Sequence, residues 1–233
     1  MRFVALDEFL VHRRPDVGPA AIGAGRVLVD GRVLSNPRTL VRADAALRVL
    51  GERPLRGTVK LAHALDTLAV PVVDRVAVDA GASAGGFTTA LLDRGAARVY
   101  AVDAGVGQLR EGLRHDRRVV NLEGHNLGLL DRVLVPEMVE LVTVDLSYLA
   151  LADALPQLER LHLAPASDLV ALVKPTFELR RATLAAGPAD VAEATRRVTT
   201  AMRHGGWAVR GTCAAPATGR RGAREAFVHA RRA

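Results

Sequence analysis

The chain has 233 residues, of which 49% are hydrophobic, 3% aromatic and 24% charged, and this composition indicates a folded protein rather than a disordered or fibrous one. No apolar run reaches the roughly 18 residues of a membrane-spanning helix, and charged residues interrupt the N-terminal segment, so we expect neither membrane insertion nor secretion. Cys213 is the single cysteine, so no disulfide forms within the chain, and we expect the protein in the reducing cytoplasm. A net charge of +7 favours a polyanionic partner such as RNA or an anionic membrane surface, although solvated surface arginines produce the same charge.

The first part of the chain combines a short helical pattern with a hairpin signal. Leu6, Phe9 and Leu10 have the spacing of one helix face. Residues 26–34, RVLVDGRVL, place Asp-Gly between two apolar runs, which predicts a type I′ hairpin. A stretch containing glycine and proline follows and reads as a linker. We therefore divide the chain into a small domain at 1–50, a linker at 51–58 and a larger domain at 59–233.

From residue 60 onward, short apolar segments alternate with amphipathic ones. This alternation predicts an α/β domain, in which a parallel sheet is flanked by helices. The predicted strands are 75–79, 98–103, 119–122, 141–145 and 169–173, with 207–213 and 225–229 closing the sheet. The predicted helices are 86–94, 148–163 with a possible kink at Pro156, and 189–204.

A glycine-containing loop, VDAGASAGGF at 78–87, follows the first of these strands and opens a helix. Glycines let the backbone approach a ligand, and amides at a helix N-terminus favour a negatively charged group. The spacing differs from the GxGxxG of dinucleotide-binding folds. Asp103 ends the next strand, where an acid suits both hydroxyls of a ribose, and Glu123 follows the third strand, where it would accept an adenine amino group.

The two kinds of basic residue are used very unequally. Of 32 basic residues, only Lys60 and Lys174 are lysines. Arginine keeps its proton, whereas a lysine loses its proton more readily when it is buried near another cation. Both lysines are therefore candidates for positions at which a proton is transferred.

Seven segments together resemble the TlyA-type rRNA 2′-O-ribose methyltransferases, whose catalytic domain is similar to FtsJ. They are VKLAHAL at 59–65, the loop at 79–87, GAARVYAVD at 95–103, GQL at 107–109, VDLSY at 144–148, LVKP at 172–175 and residues 219–225. The resemblance implies a Rossmann-like α/β methyltransferase with S-adenosylmethionine as cofactor, ribosomal RNA or ribosomal subunits as partner, a cytoplasmic location, and neither a metal nor a membrane. The implied cofactor-binding residues are Asp79, Gly81, Ser83, Gly85, Gly86, Phe87, Asp103, Glu123 and Asp145.

The same resemblance implies a catalytic tetrad at Lys60, Asp145, Lys174 and Glu225. Lys174 would accept the proton of the ribose hydroxyl, and Asp145 would hold Lys174 and itself lie close to the sulfonium. Lys60 and Glu225 would position the hydroxyl. Two ammonium groups and two carboxylates form a neutral cluster, which limits the cost of burying them. The seven histidines show no metal-binding spacing.

The small domain resembles an S4-type α+β RNA-binding domain in residues 6–10, 24–27 and 29–31. Several positions depart from the two family patterns: Ala5, Arg14-Pro15, Thr176, the loop at 179–188, and Ala223. These departures leave two alternatives open. One is an O-methyltransferase that acts on a small-molecule hydroxyl, and the other is an RNA-binding protein with an idle methyltransferase fold.

Overall fold

The computed structural model describes residues 2–23, 25–50, 54–181, 186–216 and 222–232. Cα proximity divides the chain into two compact units, Met1–Arg53 and Pro54–Ala233. Parts of several predicted features lie outside the described residues: Ala24 of the S4-like pattern, 51–53 of the linker, 182–185 of the divergent loop and 219–221 of the last family segment.

The first unit holds two small antiparallel sheets and two helices. Its elements are β1 (Phe3–Ala5), α1 (Leu6–Arg13), α2 (Ala20–Gly23), β2 (Val27–Val29), β3 (Arg32–Val33), β4 (Leu40–Arg42) and β5 (Leu47–Val49). β1 pairs with β4, and β2 lies between β3 and β5. The predicted hairpin is confirmed, because Asp30 and Gly31 have the positive φ angles of a type I′ turn, 48° and 77°. Leu6, Phe9 and Leu10 form the core with their neighbours, as their helical spacing predicts.

Within the described residues, the second unit is built on a seven-stranded sheet of order β11-β12-β10-β9-β6-β7-β8. Its strands are β6 (Val76–Ala80), β7 (Arg98–Asp103), β8 (Val119–Glu123), β9 (Val139–Val144), β10 (Leu163–Val173), β11 (Trp207–Ala214) and β12 (Ala226–Arg232). β12 runs antiparallel to both neighbours, and the remaining pairs are parallel. All seven strands fall where the alternating apolar segments predict them.

Helices cover both faces of this sheet. They are α3 (Arg56–Thr67), α4 (Gly86–Asp93), α5 (Glu111–Arg114), α6 (Leu151–Ala154), α7 (Pro175–Glu178) and α8 (Pro188–His204), with 3-10 turns at Leu127–Leu129 and Leu155–Arg160. Ala77 packs with residues of α3 and α4, whereas the next residue, Val78, packs with residues of α6 and α8. Successive strand residues point to opposite faces, so the unit has three layers. No helix in the described ranges is long and apolar enough to span a membrane.

The order of the strands reverses next to β6. The chain runs from β6 outward through β7 and β8, and then returns to place β9 and β10 on the other side of β6. At the C-terminal ends of β6 and β9, the amide of Asp145 donates a hydrogen bond to the carbonyl of Ala80 at 2.9 Å. Open α/β sheets bind ligands at such a switch point, so the functional site is expected here.

Two predictions about local structure are wrong. The helix predicted for 148–163 is a single α-turn followed by a 3-10 turn that contains Pro156. Pro156 has no amide hydrogen to donate, and Leu163 already pairs with Val139 at the start of β10, so a long helix does not fit there. The linker predicted for 51–58 is too long, because α3 begins at Arg56.

A buried ion cluster joins β10 and β12 in the interior of the sheet, six residues before Lys174. The fully buried carboxylate of Asp168 contacts Arg75 at 2.6 Å, His229 at 2.7 Å and Arg231 at 2.9 Å. Burial opposes ionisation, but hydrogen bonds from His229, Arg231 and Arg75 outweigh it and hold the pKa of Asp168 below its ordinary value. The carboxylate is therefore charged at neutral pH and compensates several cationic groups.

We predict that Asp168→Asn lowers the free energy of unfolding by about 3–5 kcal/mol, because it leaves buried cationic groups without their counter-charge. The folded-state pKa of Asp168 is depressed, so its stabilising contribution exists above the unfolded-state pKa and is lost as the pH falls towards the folded-state pKa. Urea unfolding of both proteins at neutral and acidic pH measures the loss and its pH dependence. Asp116→Asn, which removes a solvent-screened pair with Arg118, is the control and should change stability far less. Equal effects of the two substitutions would contradict the assignment.

Candidate active site

The glycine loop begins where β6 ends, against the end of β9. Gly81 has φ +92°, and a Cβ atom there would collide with the backbone carbonyl oxygen of Asp145. Only glycine permits this approach. Gly85 precedes the first residue of α4, so the loop leads directly to the amides of a helix N-terminus. The loop backbone thus lies at the switch point of the sheet.

Asp103, at the end of β7, holds this loop. Its Oδ2 accepts a hydrogen bond from the amide of Ser83 at 2.8 Å, and its Oδ1 accepts one from the amide of Gly105 at 2.7 Å. Oδ1 also accepts a hydrogen bond from Gln108 Nε2 at 3.3 Å, so the remaining capacity for a hydroxyl donor lies on Oδ2. The position is compatible with the predicted sugar-binding role, which stays a prediction.

Glu123 lies at the end of β8, and both of its carboxylate oxygens contact neighbouring protein groups. Its Oε1 accepts hydrogen bonds from the amides of Gln108 at 2.5 Å and Leu109 at 2.9 Å. Its Oε2 accepts one from Asn121 at 2.9 Å and lies 3.4 Å from Arg114. Asn121, the two amides and Arg114 lower the pKa of Glu123 to about 2. Glu123 therefore fixes the turn at 108–109, and its predicted contact with an adenine amino group would require the Arg114 contact to be exchanged.

Gln108 connects these two acidic positions, a role that sequence reasoning missed. Its Nε2 lies 3.3 Å from Oδ1 of Asp103, and its Oε1 accepts a hydrogen bond from Ser83 Oγ at 3.2 Å. Its amide binds Glu123. Gln108 therefore connects the ends of β6, β7 and β8, the first two through its side chain and the third through its backbone amide. The family segment at 107–109 contains this glutamine, but neither its residue type nor its spacing indicates a bridge.

Gly86 and Phe87, both predicted to bind the cofactor, have packing roles in the structure. A Cβ atom at Gly86 would lie 2.9 Å from Cα of Gly57, so α3 and α4 meet backbone to backbone at this point. Thr58 Oγ1 reinforces the contact by donating to the carbonyl of Gly86 at 2.9 Å. Phe87 is in the core with its ring centroid 6.0 Å from that of Phe227. The side chain of Phe87 thus does not line the loop, and what both residues offer a ligand is backbone.

Asp79, also predicted to bind the cofactor, lies beneath the loop and is fully buried. Thr88 Oγ1 donates to its Oδ2 at 2.7 Å, and Thr143 Oγ1 donates to its Oδ1 at 3.2 Å. Burial raises the pKa of Asp79 to about 7, although the two threonine hydrogen bonds oppose the shift. The carboxyl group therefore ties α4 and β9 to β6, and it acts on a ligand only through the loop above it.

Lys60 and Glu225 form an ion pair between the N-terminal half of α3 and the residue before β12. Their side chains are only 9% and 7% exposed. Lysine is almost never this buried without a partner, and here the pairing supplies one. The contact between α3 and α4 at Gly57 and Gly86 brings the helix carrying Lys60 against the sheet.

Lys174 and Asp145 form the second ion pair, at the ends of β10 and β9. Nζ of Lys174 lies 2.5 Å from Oδ1 of Asp145. It also donates to Ser147 Oγ at 2.8 Å and to the carbonyl of Leu146 at 3.1 Å. Two hydrogen bonds and one ion pair thus hold the ammonium group, and the Lys174 side chain is 14% exposed.

The register of β10 and β12 brings the two ion pairs to the end of the sheet at which the parallel strands terminate. Val173 is paired with Ala226 in antiparallel register, so the following residue, Lys174, and the preceding one, Glu225, occupy the next pairing position. Asp145, Lys174 and Glu225 therefore lie at neighbouring strand ends, and Lys60 on α3 joins them through its pair with Glu225. In the described parts of the chain, no group of three or more His, Cys, Asp or Glu side chains is placed to hold a metal ion.

A mostly parallel sheet with one antiparallel strand inserted near its edge, and a glycine loop at the switch point, defines a Rossmann-like methyltransferase fold. Residues 54–232 match the family of FtsJ-like methyltransferases. The 16S/23S rRNA (cytidine-2′-O)-methyltransferase TlyA of Mycobacterium tuberculosis is 42% identical over 216 residues, which cover 89% of this chain and 80% of that protein. YqxC of Bacillus subtilis is 36% identical over 96% of this chain and 84% of its own length. A solved protein of Streptococcus thermophilus that carries a hemolysin name superposes with a TM-score of 0.72 at 29% identity, covering 100% of this chain and 89% of that one.

The chain therefore belongs to the FtsJ-like methyltransferase family as a TlyA-type member, and it is a methyltransferase. The fold class and the family that the sequence motifs indicate are both confirmed.

We predict that Gly81→Ala lowers the free energy of unfolding by about 1–3 kcal/mol, because the new Cβ atom meets the Asp145 backbone and the residue must keep a positive φ. Urea unfolding measures the loss. Gly112→Ala is the matched control: Gly112 lies in α5 with open space around it, so the substitution should be neutral or slightly stabilising. Equal stability of the two variants would contradict the close approach of β6 and β9.

We predict that Asp79 makes stability fall as the pH rises from about 4, its ordinary value, to its folded-state pKa of about 7. In that window the folded protein binds the proton more tightly than the unfolded chain, so rising pH favours unfolding by at most roughly 1.4 kcal/mol per pH unit. Asp79→Asn cannot titrate and should remove this slope. Urea unfolding of wild type and variant across the window tests the prediction, and parallel stability curves would disprove it.

Proposed function

We propose that this chain transfers a methyl group from S-adenosylmethionine to a ribose 2′-hydroxyl of ribosomal RNA. The observation that carries the proposal is that both lysines of the chain are buried against carboxylates, with Lys174 and Glu225 at adjacent strand ends. The name of the Mycobacterium tuberculosis relative, an rRNA cytidine-2′-O-methyltransferase, supports the same reaction. Such a reaction would take place in the cytoplasm, where ribosomal subunits are assembled.

The residues at the switch point fit S-adenosylmethionine. Amides at the N-terminus of α4 suit the carboxylate of its methionine part. Oδ2 of Asp103 retains acceptor capacity for a ribose hydroxyl. Ser83 and Gly81 shape the backbone between these two positions. When bound, the cofactor supplies an electrophilic methyl group on a sulfonium.

The chain's own residues would prepare the acceptor hydroxyl. Lys174 would receive the hydroxyl proton on Nζ, and Asp145 would keep that amine in place. An amine that is to accept a proton must first have lost one, and this loss would free one of the three contacts around Nζ for the substrate. Lys60 and Glu225 would orient the ribose from the β12 side, and their opposite charges would keep the cluster neutral.

The first unit would act as an S4-like RNA-binding domain. Its Arg32 and Arg38 are exposed on the surface, and the Arg38 side chain is 81% exposed. Exposed arginines can bind backbone phosphates of RNA without reading sequence. This role for residues 1–50 rests on the S4-like pattern of the sequence together with these exposed charges.

Transfer of labelled methyl groups from S-adenosylmethionine to ribosomal subunits tests the proposed function. The label should appear in rRNA and should remain on the ribose after the bases are released. The 2′-O-methyl group also blocks alkaline cleavage at the modified nucleotide, which gives a second readout. Calorimetry checks separately that the protein binds S-adenosylmethionine. If the cofactor binds but no label enters either subunit or free rRNA, the proposal that RNA is the substrate is wrong.

We predict that Lys174→Arg lowers kcat by about 10²–10⁴-fold, because arginine keeps the positive charge but cannot give up a proton. Affinity for S-adenosylmethionine should stay within about threefold, since the cofactor-binding loop does not include this residue. Single-turnover methyl transfer and calorimetry separate the two effects. Near-normal turnover in the arginine variant would exclude the proton-acceptor role of Lys174.

A further inference from the structure

Glu178, the last residue of α7, is buried in a position that the proposed chemistry does not use. The residue is 7% exposed, and it lies four positions after Lys174, where α7 begins. Burial raises the pKa of its carboxyl group, although backbone hydrogen bonds oppose the shift. A carboxyl group at this depth costs free energy unless it binds something, so its partner indicates its role.

That partner is the first turn of α6. Oε1 of Glu178 accepts a hydrogen bond from the amide of Leu151 at 2.8 Å, across 27 residues of sequence. The residue at the N-cap position of α6 is Ala150, whose side chain has no acceptor for the exposed amides of the first turn. Glu178 therefore supplies from another element the cap that the local sequence lacks.

α7 and its N-cap residue, Lys174, also hold the other end of the segment that precedes α6. Lys174 binds the carbonyl of Leu146 and the hydroxyl of Ser147, while Glu178 binds Leu151. Residues 146–151 are thus attached at both ends to one short element, α7 with its N-cap. Tyr148 lies between the two attachments with 54% of its surface exposed.

We infer that Glu178 is a positioning residue for methyl transfer: it holds residues 146–151 so that Ser147 and Leu146 keep Nζ of Lys174 in place. This inference rests on the proposed function for its effect on catalysis, but the attachment itself does not. Displacement of a reacting group by about 1 Å costs up to roughly 10²-fold in rate. A side chain that only filled space at this position would need no acceptor atom. The decisive experiment therefore removes the oxygen that accepts from the Leu151 amide.

The matched pair Glu178→Met and Glu178→Gln isolates the acceptor. Both side chains have nearly the volume of glutamate, but only glutamine keeps an oxygen that accepts from the Leu151 amide. Hydrogen–deuterium exchange of residues 146–152 and the kcat and KM of methyl transfer are measured for both variants. Asp131→Ala is the control, because Asp131 Oδ1 accepts from the amides of Val133 and Leu134 in a segment that carries no residue of the proposed site.

In Glu178→Met we expect at least tenfold faster exchange at 146–152, and a kcat lowered by about 10- to 100-fold, with calorimetric affinity for S-adenosylmethionine nearly unchanged. Glu178→Gln should restore both exchange and kcat to within about threefold of wild type, and Asp131→Ala should leave kcat unchanged. Equal exchange and equal kcat in the methionine and glutamine variants would overturn the inference. Failure of the wild-type protein to methylate RNA would instead overturn the proposed function, and the exchange measurement would still decide whether Glu178 holds the segment.

Discussion

At the ends of β6 and β9, two backbones approach more closely than side chains would permit. The amide of Asp145 binds the carbonyl of Ala80, and Gly81 leaves room for the carbonyl of Asp145. At this contact the glycine loop leaves β6 and Asp145 follows β9. The loop that suits a cofactor and the carboxylate that holds Lys174 are therefore neighbours because of a single backbone constraint.

The charges around Lys174 and Lys60 show why burial is tolerated there. Each ammonium group faces one carboxylate, and Lys174 has two further acceptors from the segment after Asp145. An arginine would keep its proton under all physiological conditions, whereas a lysine is able to lose one. The proton-acceptor role proposed for Lys174 therefore requires a lysine, and Lys60 and Lys174 are the only lysines among the 32 basic residues.

Much of the fold and the outline of the site follow from sequence, because both rest on short-range patterns. Alternating apolar segments locate the strands, and the two lysines stand out against the arginines that make up the rest of the 32 basic residues. Roles that depend on long-range packing do not follow in the same way. Gly86 and Phe87 belong to the loop motif, but Gly86 packs against α3 and Phe87 against Phe227. Glu123 accepts hydrogen bonds from the backbone amides of Gln108 and Leu109. The helix predicted after Tyr148 fails because Pro156 and the early start of β10 interrupt it.

The position of β12 affects the order in which parts of this molecule fold. β12 is the last strand along the described chain, yet it lies inside the sheet between β10 and β11. The pair between Lys60 and Glu225 spans 165 residues of sequence, so closing it carries a large loss of chain entropy and belongs late in folding. During synthesis, the loop suited to the cofactor can form before Glu225 has left the ribosome. A nascent chain would therefore form the glycine loop before the pair between Lys60 and Glu225 closes.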